Sequence, residues 1–438
     1  MSADARELYR EEFRQAGAAL PASGIPWLHS LRAQALDQFL ASGFPTPKQE
    51  DWKYTDTGQI GTHHFTTPAP TSVTRAKIEP FCFEAITLVF VDGVLAWPLP
   101  EQMPSGLRVM SLAQALAADA SAIEPWLDHD GPDARHGFSA LNLALMRDGA
   151  FVRIGHGVSV DTPIHLLFVS SARPETGMHV RNLIVAEHDS RATVVESYVA
   201  LGDATYLASA YTEVVVGNGA TVEHYRVGRD AESAYHIGGT RAHLERDSRY
   251  LSHSVSLGGR TTRHEITCLL DAEGAHAALN GLYVGHGQQH MDHHTRIEHR
   301  VPNGTSREWY RGILTDSARG VFSGRVVVHP RAQHTDAEQA NHNLVLSPRA
   351  EADSRPQFEI YADDVKCAHG ATTGSLDADA LFYLRSRGLD EPRARDLLVY
   401  AFAADVLGRM TLAPVRALVE QELAARLLGG KRIEEIVQ

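Results

Sequence analysis

The sequence predicts a mainly β core of stacked short strands, held between a helical and mixed N-terminal region and a helical C-terminal one. Three observations carry this. From about Phe151 to Val365, short runs of β-branched and aromatic residues alternate with turns of Gly, Asp, Asn and Ser. These runs resemble one another: DSRATVVESYVAL, GNGATVEHYRV, RDSRYLSHSVSL, AEGAHAALNGLYV, TDSARGVFSGRVVV and ADSRPQFEIYAD each set a small or acidic turn before an alternating strand. The first four recur at roughly 26–30 residues, a period of stacked repeats, and the last two read as offset by insertions around 285–312 and 330–350. Such units cannot bury an apolar face alone, so they stack into a shared core. A β-solenoid is predicted, with a sandwich or jelly roll of similar strands as its rival. Helical periodicity on either side divides the chain into 1–150, 151–373 and 374–438.

The elements follow in order. ARELYREEFRQAGAAL places Tyr9, Phe13, Ala16 and Leu20 at helical spacing. Pro26 opens a second helix, which Gly43 ends as a C-cap. In PTPKQEDWKYTD, Trp52 and Tyr54 read as anchors of a loop that pins the helices onto the body. Ile86–Val91 is a β-branched run, and Asp92–Gly93 turns it into VLAWPL as a hairpin. MSLAQALAADASAI and Phe138–Met146 read as further helices. This first region can cap one end of a solenoid, whose ends expose unpaired strand edges. After Gly374, Ser375 and Asp377 are candidate N-caps of a short helix ended by Gly388. Asp390 opens a longer one with Leu397, Leu398, Ala401, Phe402, Asp405 and Val406 near one face, and a third runs from Leu412 to about Leu428. The tail GGKRIEEIVQ reads as frayed.

At 438 residues the chain has room for two or three domains. Its formal net charge of −13 and lack of any Lys/Arg block argue against a nucleic-acid partner. The polar N-terminus MSADARELYREEFRQ does not read as a signal peptide, and no run approaches the roughly 18–20 apolar residues that span a bilayer. Cys82, Cys268 and Cys367 form no CxxC motif or disulfide framework, which points to a reducing, cytoplasmic setting.

The seam between the β-rich body and the C-terminal helices, YADDVKCAHGATTG at Tyr361–Gly374, carries the candidate chemistry. In a strand, residues two apart share a face, so Cys367 and His369 lie side by side, opposite Lys366. Thiolate and imidazole together suit a thiophilic metal. Two donors do not close a site of about four, so the rest must come from elsewhere in the chain or from another chain; the bland alternative is an inert, packed thiol. Lys366 is a candidate to favour the thiolate, and Asp363 and Asp364 are candidate partners around the site.

The 24 histidines cluster at His286, His290, His293, His294 and His299, which admits a metal-dependent β-helix or jelly-roll enzyme acting on a sugar or small acid. Adjacent strand residues face opposite ways, so His293 and His294 do not easily share one metal. No Walker A loop, no G-x-S-x-G elbow and no Cys quartet occurs, so the chain has no ATPase or cluster site of its own in these patterns.

YADDVKCAHGATTG with the following FYLRSRGL resembles the C-terminal signature of the SufB/SufD family of iron–sulfur cluster assembly proteins, in its SufD version. GFPTPKQEDWKYTD, ITLVFVDG, FSALNLALMRDG and PIHLLFV are similar to further blocks of that family, and together they cover the sequence nearly end to end. The resemblance implies a right-handed β-helix core and a non-catalytic scaffold. Its partners would be a SufB-like β-helix subunit and a SufC-like ABC ATPase; a homodimer of the isolated chain is a further candidate that the sequence does not decide. It further implies that Cys367 and His369 lie at the SufB interface around a transient, shared iron–sulfur cluster. The C-terminal helices would dock the ATPase, with Phe382, Tyr383, Arg385, Arg387 and Phe402 as candidate contacts. Asp292, Thr295 and His299 would be structural within the fold. Reduced flavin has been linked to the family's complex, but no flavin fingerprint occurs in this sequence.

Overall fold

The computed structural model describes residues 3–17, 20–69, 71–98 and 103–427. The first part carries helices α1 (Ala3–Ala16), α2 (Pro26–Ser42), α3 (Arg75–Ile78), α4 (Leu112–Asp119) and α5 (Gly137–Leu145). Gly43, at φ +67°, ends α2 in a conformation open to glycine, and Ser111 and Gln114 cap α4 reciprocally. Strands β1 (Ile86–Val91) and β2 (Val94–Leu95) form the expected hairpin, and β3 (Leu107–Ser111) pairs antiparallel with β4 (Ala150–Ile154). Strands β5 (Ile164–Ser170), β6 (Gly177–Ala186), β7 (Arg191–Ala200), β8 (Leu207–Val216), β9 (Thr221–Arg229), β10 (Tyr235–Leu244), β11 (Arg249–Ser256) and β12 (Thr261–Leu270) follow. They continue as β13 (His276–Gly285), β14 (His290–His299), β15 (Thr305–Leu314), β16 (Arg319–Val328), β17 (Thr335–Val345), β18 (Glu351–Ile360) and β19 (Val365–Gly374). Helices α6 (Ala378–Ser386), α7 (Glu391–Leu407) and α8 (Ala413–Leu427) close the described chain, and the tail from residue 428 lies outside it.

Strands β1 and β2 with the odd-numbered strands from β5 to β19 make a ten-stranded sheet, and β3 with the even-numbered strands from β4 to β18 makes a nine-stranded one. The chain thus passes alternately between two parallel sheets, one strand in each per coil. This is a parallel β-solenoid, and the sandwich and jelly-roll alternatives are set aside. The corners explain the sequence repeat. Asp189, Gly219, Asp247, Gly274, Asn303 and His334 all adopt positive φ at the corner that leads into an odd strand, a conformation that Gly, Asn and Asp tolerate best.

The offset of the last two repeats has a different cause from the one expected. The first four begin β7, β9, β11 and β13, whereas TDSARGVFSGRVVV and ADSRPQFEIYAD contain β16 and β18 of the other sheet. Nothing is inserted: residues 285–312 and 330–350 hold the ordinary coil strands β14, β15 and β17. Both corners of a coil use similar turns, so the sequence alone does not say which corner a repeat begins on.

Inward residues stack in columns. Phe90, Phe168 and Tyr198 lie in register with ring centroids 4.9 Å apart. Further along, Tyr310 lies over Gly281, where an added Cβ would stand 2.0 Å from the ring.

The helical parts lie along the flanks. Leu28, Leu36, Leu116 and Leu143 of the N-terminal helices pack on Leu183, Val185 and Val215, outside the nine-stranded sheet. Val399, Val406, Val419 and Leu423 of α7 and α8 pack on Val195, Tyr225, Leu282 and Ile313, outside the ten-stranded sheet. The N-terminal end of the solenoid is finished by β1–β3. The far end is finished by nothing in the described chain: β18 and β19 are the terminal strands of their sheets. No helix among the described residues is long and apolar enough to cross a membrane.

The loop that carries Trp52 and Tyr54 does more than pin helices. It runs along the nine-stranded sheet toward the open end as a strap. Trp52 is buried with Arg263 stacked on its ring at 3.8 Å, and Thr55 hydrogen-bonds Asp292 and His290. Glu50 pairs with Arg355 of β18.

Candidate functional site

The seam residues lie on β19, which pairs with β17 on one side and presents its other edge unpaired. Register places Cys367 beside Ala337 and His369 beside Gln339, so both continue the inward columns. Cys367 is half-buried against the apolar interior. His369 meets Phe358 of β18 edge-on, with ring centroids 5.1 Å apart. The strand therefore brings the two donors to one face, at the mouth of the solenoid.

Lys366 lies where strand alternation puts it, and Asp363 and Asp364 belong to the corner before β19. Lys366 is exposed on the opposite face of β19. Burial pushes the Cys367 thiol up; a backbone hydrogen bond at Ala337 pulls it back, and Asp336 raises it further. A thiolate favoured by Lys366 is thus corrected to a thiol held protonated by burial. Asp364 turns to His334, 3.0 Å from its ring, while its amide donates to Gln333 Oε1 at 2.9 Å. Asp363 is exposed in the same turn. These contacts fix the corner that launches β19.

Among the described residues no three His, Cys, Asp or Glu side chains group as a metal site. The histidine cluster is dispersed by strand alternation. His293 points inward and stacks on Tyr283 at 5.1 Å, and His299 meets Ser306 at 2.9 Å. His290 and His294 point outward, to Thr55 at 2.8 Å and Asp292 at 3.1 Å. His286 stands apart, 3.4 Å from Glu232. Asp292 itself is wholly buried. Burial would raise its pKa, but Arg263, His294 and His290 outweigh it and hold the carboxyl well below the usual range. The block is a structural clamp under the strap.

On α6, capped by Asp377, Phe382 and Tyr383 are large apolar side chains 73% and 56% exposed. Arg387 lies over the Tyr383 ring at 5.1 Å, and Arg385 is 3.4 Å from Glu391. Phe402 does not belong with them. It packs into the α7–solenoid interface beneath Arg311, 5.5 Å from its guanidinium, because α7 is apolar on more than one side and the solenoid takes that face.

Sequence reasoning missed a set of buried polar residues inside the coils. Glu196 accepts from His224 and Thr212, Asp230 from His236 and Tyr206, and Glu308 from Gln339. Polar residues at inward positions of a predicted strand were the available signal, at Glu196, His224 and Glu308.

Comparison with known proteins places the chain. It matches the family model described as SUF system FeS cluster assembly, SufBD core domain, over residues 168–402, and that of the SufBD protein N-terminal region over residues 3–166. An iron–sulfur cluster assembly SufBD family protein of Synechocystis is 33% identical, covering 91% of this chain and 90% of its own. The iron–sulfur cluster assembly protein SufD of Escherichia coli is 30% identical over 91% of this chain and 93% of its own length. SufD of Bacillus subtilis is 28% identical over 89% and 92%.

Proposed function

The chain belongs to the SufBD family of iron–sulfur cluster assembly proteins, and on that premise we propose that it is a non-catalytic scaffold subunit of the SufD kind. Its open end pairs with a SufB-like β-helix subunit, and Cys367 and His369 hold the nascent cluster, as substrate, across that junction. One observation supports this above the others: the thiol and the imidazole share one face of an edge strand whose outer hydrogen-bonding groups have no partner strand among the described residues. An incoming strand satisfies that edge by β-augmentation and brings the further donors that a closed site requires.

The raised thiol fits this order of events. Burial keeps Cys367 protonated and unreactive in the lone subunit; iron binding then displaces the proton, since only the thiolate ligates. The exposed Phe382 and Tyr383, with Arg385 and Arg387, form the docking patch for a SufC-like ATPase, without Phe402. When SufB is absent, the same open edge pairs with a second copy. Flavin has no place in this reading.

Tagged purification from native extract tests the assignment. Stoichiometric recovery of an ABC-type ATPase and a second β-helix subunit is expected; recovery of the chain alone overturns it. In the reconstituted complex, Cys367→Ala and His369→Ala should abolish cluster loading while leaving assembly intact. Full loading by both variants would make Cys367 an inert packed thiol.

A further inference from the structure

A cleft of about 550 Å³ lies between the loop at residues 130–136, with Trp52, and the outer face of the nine-stranded sheet. Across four adjacent strands, β10, β12, β14 and β16, the rung that faces it reads Arg241, Thr267, Arg296, Arg325. Arg300 adds a further guanidinium just beyond β14. Like charges on directly paired strand positions are destabilising, and Arg296 and Arg325 are such a pair. A soluble fold keeps that arrangement when something neutralises it.

The carboxylates present do so incompletely. Glu298 is shared among Arg296, Arg300 and His329, at 2.7, 3.1 and 3.2 Å. Arg300 also reaches Asp271 at 2.8 Å, so Arg296 and His329 have Glu298 as their carboxylate and share it with Arg300. Arg325 approaches Asp51 and Glu359 only at 3.7 and 3.5 Å, beyond or at the limit of hydrogen bonding. Arg241 is matched by Asp130 on the loop wall, which also takes His243. Burial lowers the Arg241 pKa; Glu298 opposes this, and Arg300 and Arg296 lower it further, so the guanidiniums feel one another. Exposure separates the signs. Arg296 and Arg300 remain 46% and 38% exposed, whereas Glu298 is 10% exposed. The guanidinium forks, each with five donors, face the cleft with N–H groups to spare, and the carboxylate lies saturated beneath them. Asp51 is exposed, and Asp133 stands at the rim.

We propose that this cleft binds a small molecule bearing two adjacent phosphate groups, gripped between Arg296 and Arg325, with Arg241 and Arg300 flanking. Neighbouring strands stand roughly 4.8 Å apart, so the two forks engage adjacent anionic groups, and planar guanidiniums match phosphate oxygens in pairs. The cleft volume suits a ligand of nucleotide size. A polymer is disfavoured by the net charge of −13 and by the walled shape of the cleft. This site is separate from the open end and stands or falls independently of the scaffold reading.

Isothermal titration of the full chain with inorganic pyrophosphate tests it, with orthophosphate, citrate and a single-stranded oligonucleotide as comparison probes. Saturable pyrophosphate binding is expected, weakened on the order of tenfold by Arg296→Gln and again by Arg325→Gln. Thermal midpoints of both variants should stay at or above the parental value, since each removes one of two like charges on paired strands, and Arg153→Gln, away from the cleft, should bind normally. Equal affinity for orthophosphate or citrate would overturn the paired-phosphate assignment. Tighter binding of the oligonucleotide would assign the face to a macromolecule, and no saturable binding, or none lost in the double variant, would remove the site.

Discussion

Replacing Glu308 by Gln should make the protein more stable at alkaline pH and change its pH dependence. Glu308 points into the interior from β15, wholly buried. Burial raises its pKa, Thr295 and Gln339 pull it back, and the result is about 7 against an ordinary value of 4.5. The sign follows from linkage. Below about pH 4.5 the carboxyl is protonated in both folded and unfolded chains, and the group is neutral toward stability. Above that, the unfolded chain loses its proton first, so folding weakens by about 1.4 kcal/mol per pH unit. The loss continues until pH passes about 7, where the folded carboxyl also ionises. The whole gap corresponds to about 3 kcal/mol. The amide introduced by Glu308→Gln would keep the shape and would accept from Gln339 through its carbonyl. Its NH₂ group would donate to the Oε1 of Gln339, which has no hydrogen-bond partner among the described residues. Urea denaturation from pH 4.5 to 8.5 should show the variant gaining about 3 kcal/mol on the parent across that range. Infrared difference spectra should show a protonated-carboxyl band in folded parent at pH 6 that is missing from the variant. Parallel stability curves with no such band would refute the argument.

Three further outcomes follow from the same structure. Arg263→Met should cost roughly 3–5 kcal/mol, because it leaves Asp292 buried without its cation and removes the stack on Trp52; urea midpoints read this, and an unchanged midpoint would count against the strap. Gly281→Ala should cost about 1–3 kcal/mol, since its Cβ would meet the Tyr310 ring at 2.0 Å, and a compensating Tyr310→Val change should recover much of the loss in thermal melts. Cys367 in the lone subunit should alkylate more slowly with iodoacetamide at neutral pH than a free thiol, and Asp336→Asn should accelerate it by removing a charge that raises the thiol pKa. A rate indifferent to Asp336 would contradict that assignment.

What was legible in the sequence was what local chemistry repeats. Left-handed corners demand Gly, Asn or Asp, so the coils announced themselves at Asp189, Gly219, Asp247 and Gly274. Helix caps at Gly43, Asp377 and Asp390 were readable for the same reason. The pairing of Cys367 and His369 followed from strand periodicity alone. Relations between distant segments were not readable. Which sheet a strand joins is decided by coil closure, so β16 and β18 passed for displaced copies of the odd strands. Phe402 lies on a helix apolar on more than one side, and the solenoid beneath decides which side is buried. Strand alternation already turned Lys366 away from Cys367, but the action of Asp336 on the thiol from the neighbouring strand depends on the pairing of β17 with β19. The arginine rung needs four strands in register before it exists at all.

The interior also changes character along its length, and that change bears on what the open end can do. The first coils stack Leu88, Phe90, Leu166 and Phe168, an apolar plug that needs no partner. Inward positions of β17 instead hold Gln339, Asn341 and Asn343, and β19 follows with Cys367, His369 and Thr373. An apolar interior cut open at β19 would present a hydrophobic mouth beside an unpaired strand edge, the combination that drives uncontrolled strand addition. A polar mouth tolerates water while the chain is alone and supplies ligands and hydrogen-bonding groups when a partner strand arrives. The exposed apolar side chains at this end, Ile360 and Tyr361, are 41% and 61% exposed and lie at the end of β18 and the corner beyond it. Apolar contact is therefore offered at the corner, and chemistry on the inward face. That division fits the proposed scaffold role, in which the last coil closes on a partner and Cys367 and His369 hold the cluster between the two.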